Sequence, residues 1–306
     1  MHDTARNQGG SVVNERKPLV QSHQLGDLTL HLLEAGQQRL DGGAMFGVVP
    51  KPLWERRIPA DERNRIPLAM RSLLFETAGE LILIETGAGN KESAKFVDIY
   101  GLDNRGEPDQ LHDAVRAAGR DPAEVSVVIN THMHFDHAGG NTYRDAEGKV
   151  QVAFPNARYY VQHGEWEYAH WNNERVQASY LPPNFDPLEE AGQLKLLEGD
   201  SELLPGVSVV VTPGHTPHHQ SVLVRSEGET ACFVGDLVPT MAHLSLPWVM
   251  GYDVEPLRTM ETKRKLLERA AEEGWLLISV HDPERRAGYV SWGEKGPELE
   301  MARPRI

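Results

Sequence analysis

Directly after the apolar run Val125–Ile129 the chain reads Thr131-His132-Met133-His134-Phe135-Asp136-His137-Ala138-Gly139-Gly140. No other stretch restricts the possible folds so strongly. Four side chains of metal-ligand type, His132, His134, Asp136 and His137, fall within six positions at the end of what reads as a buried strand. In an extended segment alternate side chains point the same way, so His132 and His134 can face one ion together. If the chain then turns into a helix, Asp136 and His137 project from its first turn toward a second point. Imidazole and carboxylate groups suit zinc and other borderline divalent cations. The two glycines that follow permit a close backbone approach that larger residues would block.

The second half repeats the device. His215 follows Val207–Val211 within Thr212-Pro213-Gly214-His215, Asp236 follows the run 230–234, and His281 follows the run 275–280. Each apolar strand thus delivers one ligand-type residue from its C-terminal end, where open α/β folds place their sites.

Strands, a hairpin and a helix recur in both halves. Residues 28–33 alternate weakly as a strand, and 71–86 read as a hairpin turning at Ala78-Gly79. Residues 108–119 carry a helical apolar face of Leu111, Ala114, Val115 and Ala118. Further on, 220–225 and 230–234 form a second hairpin, and 261–273 a helix stopped by Gly274. Two such sheets packed face to face, with helices outside, make a four-layer α/β domain. The expected division is a mobile N-terminal arm over 1–22 and a single domain over 23–306. That domain has two similar halves, 23–163 and 201–306, with an aromatic-rich cap inserted at 164–200. Residues 41–66, rich in Gly and Pro, read as a long loop, and such loops inside a compact domain are often functional.

Composition narrows the function. The 306 residues carry 31 Lys plus Arg against 45 Asp plus Glu, a formal net charge of −14. That balance excludes nucleic acid, whose phosphates need a clustered basic face, and docking on an anionic membrane. A single cysteine, Cys232, excludes an intrachain disulfide and a Cys-rich zinc module; inside an apolar run it reads as inert core. No apolar run approaches the ~20 residues that span a bilayer, and the first thirty residues lack a signal-peptide core, so a cytoplasmic location is expected.

In order and spacing, His132, His134, Asp136, His137, His215, Asp236 and His281 resemble the ligand set of the metallo-β-lactamase superfamily. The resemblance covers roughly residues 25–285. It implies an αβ/βα sandwich and two divalent metal ions per chain, zinc before manganese, cobalt or iron. His132, His134 and His215 would hold one ion, Asp136, His137 and His281 the other, with Asp236 bridging. The superfamily's common Asp-Thr-Gly turn reads Glu85-Thr86-Gly87 here, so Glu85 is expected to support the ligands with a longer arm.

The stretches Gly42-Gly43-Ala44-Met45-Phe46-Gly47, Glu85-Thr86-Gly87-Ala88-Gly89-Asn90 and Gly235-Asp236-Leu237-Val238-Pro239-Thr240 resemble the YtnP-like quorum-quenching lactonase branch. More distantly the chain resembles methyl parathion hydrolase. The first likeness implies opening of lactones such as N-acyl homoserine lactones by a metal-bridging hydroxide, with Asp136 as general acid. The alternative is phosphotriester, arylester or thioester hydrolysis on the same scaffold. Well-known lactonases of this kind carry a tyrosine where Pro239 stands. His243 is the candidate for its task, and His219 is a candidate support of the ligands. Met45, Phe46, Trp54, Trp166, Trp171, Met241 and Trp248 either line a groove for an acyl chain or pack the cap and a dimer interface. The expected partners are a small-molecule lactone or ester and a second copy of the chain. A flavodiiron-type oxidoreductase would need an acidic ligand where His134 stands, and a nuclease of this fold would need a basic face.

Overall fold

Period-two alternation in the strands decides the architecture. Along Gln220–Ser226, Val222 and Val224 enter one core cluster while Leu223 enters another. Along Glu229–Phe233, Ala231 and Phe233 separate from Cys232 in the same way, and along Val125–Ile129 so do Val127 and Ile129 from Val128. A strand that is apolar on both faces must be covered on both, which forces at least four layers here. The computed structural model describes residues 18–171, 173–294 and 296–301.

The first sheet has seven strands whose spatial order follows the chain: Val20–Leu25, Leu28–Asp41, Arg65–Thr77, Glu80–Ile84, Val125–Ile129, Arg158–Gln162 and Leu194–Leu197. Its first four strands are antiparallel, and from Glu80–Ile84 onward the pairings are parallel. The second sheet, also of seven, runs Ser201–Leu204, Val207–Val211, Gln220–Ser226, Glu229–Phe233, Leu276–Ile278, Ala287–Gly293 and Gly296–Met301. There only Glu229–Phe233 and Leu276–Ile278 pair in parallel. Between the sheets lies one core drawn from both, including Leu73, Phe75, Ile82, Val222, Phe233 and Ile278. Helix Gln110–Ala117 covers the outer face of the first sheet through Leu111, Ala114 and Val115. Helix Pro256–Glu273 covers the second through Leu266, Leu267 and Ala270. At about 1.5–3 kcal/mol for each fully buried large aliphatic or Phe side chain, these three clusters are the main stabilising term. The four-layer α/β sandwich is as expected.

Several boundaries differ from the sequence reading. Residues 1–17 of the expected arm lie outside the described residues, and Val20–Ser22 already belong to the first strand, paired with Leu33–His31. Leu194–Leu197, counted in the cap, is the edge strand of the first sheet. The segment 41–66 holds two helical turns, Gly42–Phe46 and Lys51–Trp54, the first capped by Asp41 Oδ1 accepting from the Ala44 N–H at 2.8 Å. Val48 and Leu53 are exposed, but Met45, Phe46, Trp54 and Ile58 form a small buried core of their own with Leu68 and Met250. Cys232 is buried on the outer face of the second sheet, and burial pushes its thiol up to about 12. Among the described residues no helix is long and apolar enough to cross a membrane.

Candidate metal centre

The C-terminal ends of Val125–Ile129 in the first sheet and of Glu229–Phe233 and Leu276–Ile278 in the second lead into the loops that bring His132, Asp236 and His281 together. After Val125–Ile129 the chain bends at Thr131 and His132, where the sequence reading expected an extended run, and then turns into the short helix Phe135–Ala138, as the spacing predicts. Thr86 clamps this helix, its N–H and O–H both donating to the His137 carbonyl at 2.8 and 2.9 Å. The clamp needs glycine: a Cβ at Gly140 would stand 2.1 Å from the Thr86 carbonyl oxygen, and one at Gly139 2.4 Å from that of Ala88.

Seven buried side chains converge there. His132, His134 and His215 form one group, Asp136, His137 and His281 a second, and His132, His137 and Asp236 a third that overlaps both. Within each group the ligand atoms lie within 4.8 Å of one another. Nδ1 of His134 stands 3.0 Å from Nε2 of His132 and 3.2 Å from Nε2 of His215. Across the site His281 Nε2 lies 3.1 Å from His137 Nε2. Asp236 reaches toward both groups, 3.2 Å from His215 Nε2 through Oδ2 and 3.1 Å from His281 Nε2 through Oδ1.

The outward-facing nitrogens reveal what the inward ones present. His215 Nδ1 lies 2.9 Å from Asp253 Oδ1, His137 Nδ1 2.8 Å from Glu85 Oε2, and His281 Nδ1 2.7 Å from the Ala69 carbonyl. These acceptors require Nδ1–H, so each neutral ring turns a bare Nε2 lone pair inward. Lone pairs of imidazoles and carboxylates therefore face one another around common points, and buried Asp236 Oδ1 has no hydrogen-bond donor. A divalent cation is the group that satisfies such a donor set. The crowded charges shift the histidines in both directions. Burial and the neighbouring histidines hold His132 and His134 well below the ordinary histidine range. For His137 burial pulls downward, but Asp236, Asp136 and Glu85 outweigh it and the net shift is upward. Burial raises Asp236, yet His137, His281 and His215 hold it well below the usual carboxylate range.

The remaining expected residues divide clearly. Glu85, at φ 64°, accepts from the Thr131 N–H at 2.6 Å through Oε1 while Oε2 faces His137, so its longer arm holds two ligand-bearing points at once. His219 is buried; its Nε2 accepts from the Asp236 N–H at 3.1 Å, and its Nδ1 faces Thr212 Oγ1 at 2.8 Å. His243 is not free to enter the site. Its ring nitrogens are 2.8 Å from Thr240 Oγ1 and the Met45 carbonyl, and the ring stacks on Phe46 at 4.5 Å. A cavity of about 330 Å³ opens above the ligands, walled by Leu40, Ala44, Met45, Phe135, Val176 and Met250, with Tyr100, Tyr252 and Arg175 among its polar lining. Of the seven residues proposed for a groove, Met45 alone lines this cavity. Phe46, Trp54 and Met241 are core, half-buried Trp248 packs edge-on against Phe46, and Trp166 packs against Phe185 and His170 within the cap. Trp171 points to solvent, 62% exposed.

Four residues here carry no sequence signal of their own: Asp253, Gln38, Glu165 and Tyr180. Asp253 sits in an irregular loop. Gln38, inside the strand Leu28–Asp41, donates Nε2–H to Asp136 Oδ2 at 2.5 Å. Glu165 reads as an ordinary acid in the first turn of a helix. It is instead fully buried, accepting from the Met133 N–H, the Tyr180 O–H and the Thr216 O–H.

A sandwich of two mixed sheets with this seven-residue centre at one edge defines a hydrolase class built to hold metal. The chain belongs to the metallo-β-lactamase superfamily, whose sequence pattern matches residues 67–281, and is a hydrolase of it. It is 36% identical over 225 residues to an N-acyl homoserine lactonase from a Bacillus species, covering 70% of this chain and 82% of that protein. A probable metal-dependent hydrolase from Staphylococcus aureus superposes with a TM-score of 0.83 at 32% identity, over 92% of this chain and all of that one. AiiA from B. thuringiensis, in a mutant form with N-decanoyl-L-homoserine bound at its active site, gives 0.64 at 25% identity over 87% of this chain and 95% of its own.

Proposed function

We propose that this hydrolase opens the ester ring of N-acyl homoserine lactones, with two divalent metal ions, zinc foremost, in the centre described above. The observation that carries the reading is the joining of the ligand cluster to a mostly apolar cavity in one continuous space. An ester-hydrolysing centre at the floor and an aliphatic wall above it suit a ring with an acyl tail. The named activity of the relatives supports the same choice of substrate.

His132, His134 and His215 would hold one ion and Asp136, His137 and His281 the other, with Asp236 shared. When bound, the pair supplies an activated water and a Lewis acid for the carbonyl oxygen. Everything else falls to the chain. Leu40, Met45, Val176 and Met250 take the acyl tail and exclude water from it. Asp136 delivers the proton that the leaving alkoxide needs. Gln38 fixes the rotation of that carboxylate by donating to Oδ2. Pro239 offers no hydroxyl and His243 is engaged elsewhere, so Tyr100 and Tyr252 are the phenols within the cavity wall that can meet the substrate's polar atoms. Burial and the neighbouring Tyr100, Asp41 and Asp136 push the Tyr252 phenol up to about 12, which keeps it a donor. A cytoplasmic homodimer completes the proposal, its dimeric part testable by sedimentation.

The test is a hydrolysis panel on purified protein with its metal content measured: lactones of several chain lengths, phosphotriesters, thioesters and arylesters. Lactone opening with two metal ions per chain is expected, as is its abolition in Asp136→Asn. A protein holding two ions that opens no lactone but cleaves a phosphotriester would overturn the substrate assignment.

A further inference from the structure

Glu165 is a carboxylate with none of its surface exposed, on the cap helix His163–Ala169. A buried carboxylate is costly unless it is fully hydrogen-bonded. Here three donors from three separate segments satisfy it. Oε1 accepts from the Met133 N–H at 3.1 Å and the Tyr180 O–H at 2.7 Å, and Oε2 accepts from the Thr216 O–H at 2.6 Å. The partners are not scattered. Met133 lies between His132 and His134, Thr216 follows His215, and the Tyr180 ring stands edge-on to His134 with centroids 4.6 Å apart.

We infer that Glu165 is a positioning residue of the metal centre, tying the segments that carry His132, His134 and His215 to each other and to the cap. The inference rests on the reading that this cluster binds metal. His134 and His215 come from segments 81 residues apart in the chain; their rings meet edge to face, and the polar approach between them is one of nitrogen to nitrogen. Two lone pairs do not attract, so something else must hold the segments at that distance before a cation arrives. Glu165 does this from behind, without touching a ligand atom. Its own hydrogen bonds reach neither the helix Phe135–Ala138, which carries Asp136 and His137, nor the segment of His281. Its effect therefore falls first on the position that His132, His134 and His215 surround. It also makes the cap a mechanical partner of that position: a shift of His163–Ala169 moves all three tethered points.

The test is chelator competition for zinc on the full chain, at a temperature where every metal-free variant is folded by circular dichroism. Wild type, Glu165→Gln and Tyr180→Phe are compared. Outer partners of metal ligands typically contribute about 10–100-fold in affinity. Glu165→Gln, which puts a donor where only an acceptor fits, is expected to lose that much for one zinc equivalent and less than threefold for the other. Tyr180→Phe, which keeps two of the three bonds, is expected to lose less than tenfold, again for one equivalent only. Urea unfolding of the metal-free proteins separates this from stability alone, which would weaken both equivalents together. If Glu165→Gln does not fold, Tyr180→Phe and Thr216→Val decide the matter by the same split. Equal affinities in wild type and variants, or equal loss at both positions, overturn the inference while leaving the metal reading intact. A wild type that binds no zinc overturns both.

Discussion

Asp253 Oδ1 lies 2.9 Å from His215 Nδ1, and its other oxygen accepts from the Met250 N–H at 3.2 Å. One carboxylate therefore fixes the tautomer of a ligand ring and the shape of the loop beneath the cavity wall. Asp253→Ala is expected to weaken one metal equivalent by about 10–100-fold, as removal of a histidine's outer partner does elsewhere. Asp253→Asn should do nearly as much, since a carboxamide can present its NH2 to Nδ1 and favour the wrong tautomer. Zinc retention against a chelator measures both; unchanged retention in Asp253→Ala would remove the residue from the centre.

His243 gives the protein a pH dependence of stability. Burial drives its imidazole down to about 3, with the Met45 carbonyl opposing. An unfolded histidine titrates near 6.5. As pH falls below 6.5 the unfolded chain takes up a proton that the folded one refuses, so stability is lost progressively from 6.5 toward 3. At ~1.4 kcal/mol per pH unit, the loss from this one group is ~2 kcal/mol at pH 5. His243→Asn should therefore flatten the slope of urea-unfolding free energy against pH between 6.5 and 5, even though it lowers stability at pH 7. An unaltered slope would show that His243 is accessible to protons in the folded state.

The backbone contact at Gly140 is the tightest at the centre. A methyl group there meets the Thr86 carbonyl oxygen at 2.1 Å, and neither partner is a flexible side chain. Gly140→Ala must open the clamp that Thr86 places on the His137 carbonyl. A cost at the upper end of the ~1–3 kcal/mol overpacking range follows, with weaker binding of the metal that His137 would hold. Thermal unfolding with and without zinc checks both. A variant as stable as wild type would mean that the turn has slack not visible in its geometry.

The convergence of the seven candidate residues was legible in the sequence because most of them closely follow a strand, and strand ends are marked by an apolar run that stops. His132, His215 and His281 needed no three-dimensional knowledge beyond that. The sandwich followed from two-sided apolar strands such as Val125–Ile129. What stayed hidden has a common cause. Glu165 and Asp253 are bonded to residues far away in the chain, and a buried acid looks like a solvated one until its partners are known. The aromatic residues of 41–66 misled for the converse reason. A Gly- and Pro-rich stretch resembles exposed loop, yet Phe46 and Trp54 have each other, His243 and Ile58 to pack against. Which side chains line a cavity depends on such closures, and those are tertiary.

The cavity wall makes a prediction about chain length. Ala44, half-buried on the helical turn Gly42–Phe46, lines the cavity with Leu40, Val176 and Met250. If the acyl tail lies there, each methylene it buries is worth at most about 0.8 kcal/mol. Four more methylenes, from a hexanoyl to a decanoyl chain, then carry up to about 3 kcal/mol, or roughly 200-fold in kcat/KM. Ala44→Phe puts a ring into that space while leaving the ligands and Asp136 untouched. The expected result is a collapse of the decanoyl-over-hexanoyl preference, with kcat/KM for the hexanoyl substrate changed by less than threefold. The loss should appear in KM more than in kcat, since the tail binds alike before and during ring opening. A preference that survives Ala44→Phe undiminished would place the acyl chain along a different wall, with Tyr252 and Arg175 at the mouth as the next surface to alter.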